Sequence, residues 1–382
     1  MNSTEKKAQS TTREQSRVRA VLFPVLSVFI GIFLAFSILE VVLRFFPVYT
    51  GLYAEPVSAR QPVLRFIPNV EFLYSRGWNF RGVNIGHVHN FGFINDQDYD
   101  PTVTSPLAAV IGDSYIEAAM VPFGKTLQGR LAETVRGKGR VYSYAMSGAP
   151  LSQYLAWASW IKTVFHPDLL IVTIVGNDFD ESLIRYKNEP SYHYFDDSRE
   201  GMPLVRVDMD TGFLRQTIRL SAVSALSRYI RQNLGLSTIV RKFRASKSIQ
   251  YVGNVPASVE AERIERSKRA VDAFLVRLPQ EAGVPASRTI FIVDGMRPNL
   301  YSAEDLQKAE GSFFDTMRRY FIAHAAPHGY TVIDMQPRFI EHYRATGERF
   351  EYPDDGHWNE TGHAVAAEAV KKSRVFRDRF GL

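Results

Sequence analysis

Apolar and polar positions divide this chain into three regimes. From Ala20 to Leu39 there is no charged residue. Twenty helical residues at about 1.5 Å each span a hydrocarbon core roughly 30 Å thick. Glu40 and Arg44 mark the far edge, and the apolar character runs on through Val41, Val42 and Leu43. From 45 to 85 no period is clear, and Pro47, Pro56, Pro62 and Pro68 interrupt the stretch. From Leu107 onward, short apolar runs alternate with helical patterns. Strands are predicted at 107–111, 141–145, 169–175, 289–293 and 330–333. Leu169 to Val175 is apolar except for Thr173, as a strand buried on both faces should be. Helices are predicted over about 151–164, up to about 325, and from 359 or 361 to about 373. Strands alternating with helices argue for an α/β fold with a parallel sheet covered on both sides.

These regimes imply four segments: a polar, disordered tail (1–19), a transmembrane helix (20–43), a tether and lead-in (44–104), and a catalytic-sized domain (105–382). An excess of chain at 180–262 is too long for a simple crossover. There Leu214, Ile218, Val223, Leu226, Ile230 and Leu234 recur at helical spacing among Arg215, Arg219, Arg228 and Arg231. It reads as a mostly helical insertion packed on the domain, with a lid or a basic face against lipid as the sharper alternatives. A cleaved signal peptide is the rival to the membrane span. Ala35-Phe36-Ser37 resembles a cleavage site, but the apolar run continues past it.

Charge refines this picture. Residues 1–19 carry +3 of the formal +6. The remaining +3 is spread over a long chain, which gives no argument for nucleic acid. Basic residues before the span place the N-terminus in the cytoplasm and the rest outside it. The 382 residues contain no Cys, which removes disulfides, thiol catalysis and Cys-ligated zinc. His87 and His89 alternate as ligands on a strand would, but lack nearby partners. No metal and no cofactor is expected.

The candidate chemistry lies just after strand ends, where ligands bind in open α/β sheets. The first run ends in Gly112-Asp113-Ser114 and a helical pattern resumes at once. A Ser delivered into a strand-to-helix turn is well placed as a nucleophile. Gly148 follows the second strand, Asn177 the third and Arg297 the fourth. Asp354-Asp355-Gly356-His357 precedes the last helix. Acyl transfer needs a nucleophile, a base, a group orienting the base, and donors for the oxyanion. Ser114 and His357 supply the first two. Asp354 is favoured over Asp355 as the orienting carboxylate because of its three-residue spacing. The Ser114 and Gly148 N–H groups and the Asn177 amide are the candidate oxyanion donors. Tyr115, Arg297 and Trp358 are candidate substrate contacts. Asp113 and Asp178 read as turn and hydrogen-bond formers, Asp294 and Arg297 as an ion pair, and His363 as structural.

Gly112-Asp113-Ser114, Gly148, Asn177-Asp178 and Asp354-x-x-His357, in this order, resemble the SGNH (GDSL-like) hydrolases. The resemblance covers roughly 105–375 apart from the insertion. It implies a three-layer α/β/α fold with a five-stranded parallel sheet of flavodoxin-like order. It implies Ser114, Asp354 and His357 as a triad, and Ser114, Gly148 and Asn177 as an oxyanion hole. The family hydrolyses esters of lipids, sugars and other small acyl groups, and its membrane-tethered members include enzymes of surface polysaccharide acylation. Tyr115 stands where the family has Leu, and Val175 where it has Gly, with Gly176 in the variable place.

The expected function is a membrane-anchored, extracytoplasmic serine esterase acting on acyl or O-acetyl esters of a glycan or lipid. An O-acyltransferase using the same triad and a non-catalytic binding protein on a hydrolase frame are the alternatives. A metallophosphoesterase is a weaker rival, since no His stands beside Gly112-Asp113 or Asn177-Asp178.

Overall fold

A computed structural model describes residues 3–55, 57–58, 61–208, 222–235, 250–353 and 355–382. Its centre is a five-stranded parallel sheet built from β1 (Leu107–Gly112), β2 (Arg140–Ala145), β3 (Leu169–Ile174), β4 (Thr289–Val293) and β5 (Thr331–Asp334). The spatial order is β5-β4-β3-β1-β2. In register, Gly112 faces Ala145, Ile111 faces Val172, Ile174 faces Val293, and Val293 faces Asp334. The carboxyl ends of the strands therefore finish at one edge.

Both faces of the sheet are covered. Ala109, Ile111, Leu170, Val172 and Phe291 point into one apolar layer, and Ala108, Val110, Ile171, Ile290 and Ile292 into the other. The period-2 alternation of strand side chains forces this division. Of the helices, α1 is Ser3–Leu43, α2 Leu127–Thr134, α3 Leu151–Val164, α4 Ala261–Ala282, α5 Phe313–Ala325, α6 Met335–Thr346 and α7 Glu360–Lys371. α3, α4 and α5 pack on the first face; α2, α6 and α7 pack on the second. This is a three-layer α/β/α fold. Fully burying one Val, Leu, Ile or Phe contributes about 1.5–3 kcal/mol, so these two layers dominate the domain's stability.

The structure differs from the sequence-based expectation in three places. The aperiodic stretch forms an antiparallel hairpin, Val70–Arg76 with Arg81–Val88. Its second strand buries Asn84, Gly86 and Val88 while Val83 and Ile85 face outward. Polar-in, apolar-out alternation hides a strand from hydropathy. Helix α1 extends back over the tail expected to be disordered. The insertion includes short strand pairs, His193–Phe195 with Leu204–Arg206 and Tyr251–Val252 with Val255–Pro256, beside a helical stretch from Ala225 to Asn233. Leu214 and Ile218 lie outside the described residues.

Candidate active site

Ser114 opens a single helical turn, Ser114–Glu117, directly after β1. Asp113 caps that turn, its Oδ1 accepting from the Tyr115 N–H at 2.9 Å. The apolar strand thus stops at the sheet edge and holds the Ser hydroxyl above it.

His357 arrives from the other end of the chain. It sits in the strand pair Glu351–Tyr352 with Asp355–Trp358, just before α7. Three contacts fix that loop. The Trp358 indole N–H donates to Asp294 Oδ1 at 3.0 Å. The Tyr115 hydroxyl donates to the Gly356 carbonyl at 3.1 Å. Asn359 caps α7, its Oδ1 accepting from the Gly362 N–H at 3.0 Å. As a result His357 Nε2 lies 2.7 Å from Ser114 Oγ. Asp113 Oδ2 is a longer neighbour of that hydroxyl, at 3.3 Å.

The other ring nitrogen of His357, Nδ1, meets the Asp355 carboxylate. Asp355 Oδ1 also accepts from the His357 backbone N–H at 3.1 Å, and Oδ2 pairs with Arg76 of the hairpin. Asp354 lies outside the described residues. Burial opposes ionisation of Asp355, but the hydrogen bond and charge of His357 and the charge of Arg76 outweigh it. The carboxyl is held well below its usual range. Burial also opposes protonation of His357. The Asp355 hydrogen bond and charge, with Asp113 and Glu117 nearby, overcome this and raise its pKa above the ordinary imidazole value.

The two loops after β2 and β3 close the other side of the rim. Gly148 has φ +76°, a conformation that favours glycine, and a Cβ there would stand 2.9 Å from Lys187 Nζ. Lys187 Nζ donates to the Gly148 carbonyl at 2.8 Å and to Glu181 Oε2 at 2.6 Å. Glu181 Oε2 in turn accepts from Asn177 Nδ2 at 3.4 Å. Asn254 Nδ2 donates to Asn177 Oδ1. The Asn177 amide is thus gripped by both flanks of the insertion. Its oxygen is engaged by Asn254, which leaves the NH2 group on the opposite side. Gly176 makes room for this, since a Cβ at 176 would collide with Asn254 Oδ1. Val175 is fully buried in the second apolar layer. The swap of Val and Gly in this motif therefore matches a structural exchange: Val175 fills the core, and Gly176 admits Asn254.

The remaining polar residues form a support beneath the rim. Asp178 accepts from the Val175 N–H at 2.8 Å and from the Tyr154 hydroxyl at 2.9 Å, a turn-forming role. Burial raises its pKa well above the usual value. Glu117 accepts from the Ser147 N–H, and burial pushes its carboxyl up to about 7. Arg297 is buried and pairs with Asp294 at 2.7 Å and Glu351 at 3.3 Å. Its guanidinium also donates to the Gly356 carbonyl at 3.0 Å and the Tyr115 hydroxyl at 3.1 Å. Tyr115 and Arg297 line a cavity of about 1010 Å³ that runs past Asn254, Asp355 and Gly356 to Arg349 and Tyr352. Trp358 is fully buried behind it. His363 accepts from the Leu127 N–H at 3.1 Å, and burial lowers its pKa to about 3. That is a structural role. Among the described residues no cluster of His, Asp and Glu is arranged to hold a metal ion.

The profile of the GDSL-like Lipase/Acylhydrolase family matches residues 109–370. The chain belongs to the GDSL-like lipase/acylhydrolase family. It is a hydrolase that acts on ester bonds. Among curated proteins, no relative matches the sequence. Similar solved structures include TesA, at 12% identity over 72% of this chain and 99% of that one, with a TM-score of 0.38. The esterase EstA from Pseudoalteromonas sp. matches at 9% identity over 70% and 96%, with a TM-score of 0.38. The lipase/acylhydrolase from Enterococcus faecalis matches at 12% identity over 72% and 96%, with a TM-score of 0.37.

Local sequence did not single out Arg76, Glu181, Lys187 or Asn254. None stands in a motif. Arg76, Lys187 and Asn254 reach the site through contacts between segments distant in sequence, and Glu181 through Asn177 four residues before it.

Proposed function

We propose that this hydrolase is a membrane-anchored serine esterase. Ser114 is the nucleophile, His357 the base and Asp355 the carboxylate that orients it. The reading rests on one observation: His357 spans Ser114 Oγ and the Asp355 carboxylate through its two ring nitrogens. Ser114 Oγ bonds to the acyl carbon as its proton passes to His357 Nε2. The former carbonyl oxygen becomes an oxyanion that takes hydrogen bonds from the Ser114 and Gly148 N–H groups and Asn177 Nδ2. The carbon–oxygen bond of the ester then breaks, and the leaving alkoxide takes the proton from His357. Water repeats the sequence and frees the acid. Asp355 fixes the imidazole tautomer and stabilises the imidazolium in between. Of the two adjacent carboxylates, Asp355 takes this part because it meets Nδ1. Tyr115 and Arg297 act as supports: their polar groups are taken up by Asp294, Glu351 and the Gly356 carbonyl, and they hold the His357 loop in place. Trp358 supports the loop from behind.

The cavity is rich in polar and aromatic groups, among them Arg349, Glu351, Tyr352 and Asn254. A polyhydroxylated alcohol, such as an acylated surface glycan, suits that lining better than a long alkyl chain. The same triad can pass the acyl group to a sugar hydroxyl in place of water, so O-acyl transfer is the second reading. Product analysis separates the two. Free acid from acetylated sugar supports hydrolysis. Acylated glycan formed in preference to acid supports transfer. Absence of both, with no labelling of Ser114 by a fluorophosphonate, removes the enzyme reading.

Leu22–Leu43 is apolar enough to cross a bilayer, and within it only Leu43, at its carboxyl end, is buried in the protein. Its carboxyl end is joined to the domain: Glu40 accepts from the Ser224 hydroxyl and from the Ala225 and Leu226 N–H groups. A segment integrated in this way suits an uncleaved anchor better than a discarded leader. In this reading residues 1–19 are cytoplasmic, 44–104 lead into the domain, and 105–382 lie outside the cytoplasm. Protease protection of an N-terminal tag in sealed membranes, with the domain digested, is the expected result.

A further inference from the structure

The end of α1, the hairpin tip and the 222–235 segment form one continuous apolar surface. Phe46 stacks on Phe80 with ring centroids 5.4 Å apart, and Phe80 lies 5.4 Å from Tyr229. The Tyr229 hydroxyl donates to the Trp78 carbonyl at 3.0 Å, and the Gly77 N–H to the Asn233 carbonyl at 3.0 Å. Around this joint the large side chains face outward. Phe45 is 84%, Trp78 72% and Val223 69% exposed. Val223 and Leu226 share a concavity with Phe33, Phe36 and Glu40 of the apolar span. The segment therefore lies against the span at a level inside its apolar length.

Three polar groups at the joint, Glu40, Arg228 and Asn233, are paired, while Arg44, Asn79, Arg81 and Arg231 at its margin are exposed. Glu40, the one charged residue between Leu22 and Leu43, takes three hydrogen bonds from the start of the 225–233 helix and pairs with Arg44. Arg228 donates to the carbonyls of Tyr49, Ala222 and Val223. Buried Asn233 donates to Ser75 Oγ and accepts from the Tyr49 N–H. Exposed apolar side chains over satisfied polar groups suit a low-dielectric surrounding, and the basic residues at the margin suit its charged boundary. Aromatic rings at the end of a span sit at the headgroup boundary.

We propose that Phe45, Phe46, Trp78 and Val223 form a foot that dips into the outer leaflet beside the span. Glu40 locks the foot to the anchor. The occupant of this face is the bilayer itself, since the face is continuous with the apolar span. The proposal rests on the anchored reading above. The consequence is a fixed tilt of the domain, so that the catalytic rim meets substrate at a set height above the lipid.

Trp78 offers the test. Trp157 and Trp358 are fully buried, and Trp160 packs partly against the core. The full chain is reconstituted in phosphatidylcholine vesicles whose acyl chains carry bromine either near the headgroup or near the chain terminus. The expected result is quenching of tryptophan emission, stronger with the shallow bromines and lost in Trp78→Phe. Ester cleavage by Trp78→Phe serves as the control for folding. A protein that floats with the vesicles yet shows no Trp78-dependent quenching overturns the foot and leaves the anchor standing. A full chain that stays out of the vesicle fraction overturns the anchor, and the foot with it.

Discussion

The catalytic rim and the proposed foot are built on opposite plans. At the rim, apolar strands are buried on both faces, and the polar side chains of Ser114, His357 and Asp355 meet at the strand ends. At the foot, Trp78 and Phe45 face outward while Glu40, Arg228 and Asn233 pair inside. Trp358 is fully buried and bonded to Asp294, whereas Trp78 stands 72% exposed. The contrast teaches that burial follows the surrounding medium. A group is turned toward whichever phase solvates it, and on the proposed reading the two ends of this domain face different phases.

The largest effect belongs to the rim. Ser114→Ala should lower ester cleavage by about ten-thousand-fold or more. Far-UV circular dichroism and thermal unfolding should stay close to wild type, and the vesicle association of the foot should not change. Appreciable residual turnover would remove Ser114 as nucleophile.

Asp355→Asn comes next, with a drop in kcat of about a thousand- to ten-thousand-fold. It should also move the acidic limb of the pH profile downward, because Asp355 is what raises the His357 pKa. The equivalent change at Asp354 should do far less. Equal losses from both would break the assignment of the orienting carboxylate.

Asn177→Ala should cost about a hundred- to a thousand-fold in kcat, the worth of one oxyanion donor. Asn254→Ala should cost about tenfold, about 1.4 kcal/mol, in kcat with little change in KM. In the double variant the two losses should not add, since Asn254 acts through the Asn177 amide. Additive losses would show that Asn254 acts elsewhere.

The pH dependence has a definite sign. His357 must be neutral to accept a proton, so activity should fall as pH drops through its pKa. That midpoint should lie above the ordinary value of about 6.5, because its partners favour the charged form. A rate unchanged well below that pH would count against His357 as the base.

The smallest effect tests the foot. Glu40→Gln should leave cleavage of a small soluble ester unchanged while hydrogen exchange at the Ala225 and Leu226 amides speeds up, since both donate to Glu40. Slower ester cleavage with unaltered exchange would mean that Glu40 serves the rim instead.

Much of the rim was legible in the sequence. Leu107–Ile111 and Leu169–Ile174 announce buried strands because both faces are covered. Ser114, Gly148 and Asn177 stand out because they follow strand ends at turns, and the topology of a parallel sheet brings such turns to one edge. These are local signals, and they carried the fold and the family. The hairpin was not legible, because Asn84 points inward and Ile85 outward. That inversion makes sense only once the partners of Asn84, the carbonyls of Ala119 and Val121, are known.

What the chain alone determined was where its strands lie along the sequence and the residue types at their ends, since periodicity and turn chemistry act over a few residues. The tertiary structure decided which groups meet. It set Asp355 against His357, brought Arg76 from 279 positions away onto that carboxylate, and placed Asn254 on the amide of Asn177. Such pairings depend on how distant segments pack. The contact between Asp355 and His357 depends on where the Asp355 side chain points, which no local pattern encodes.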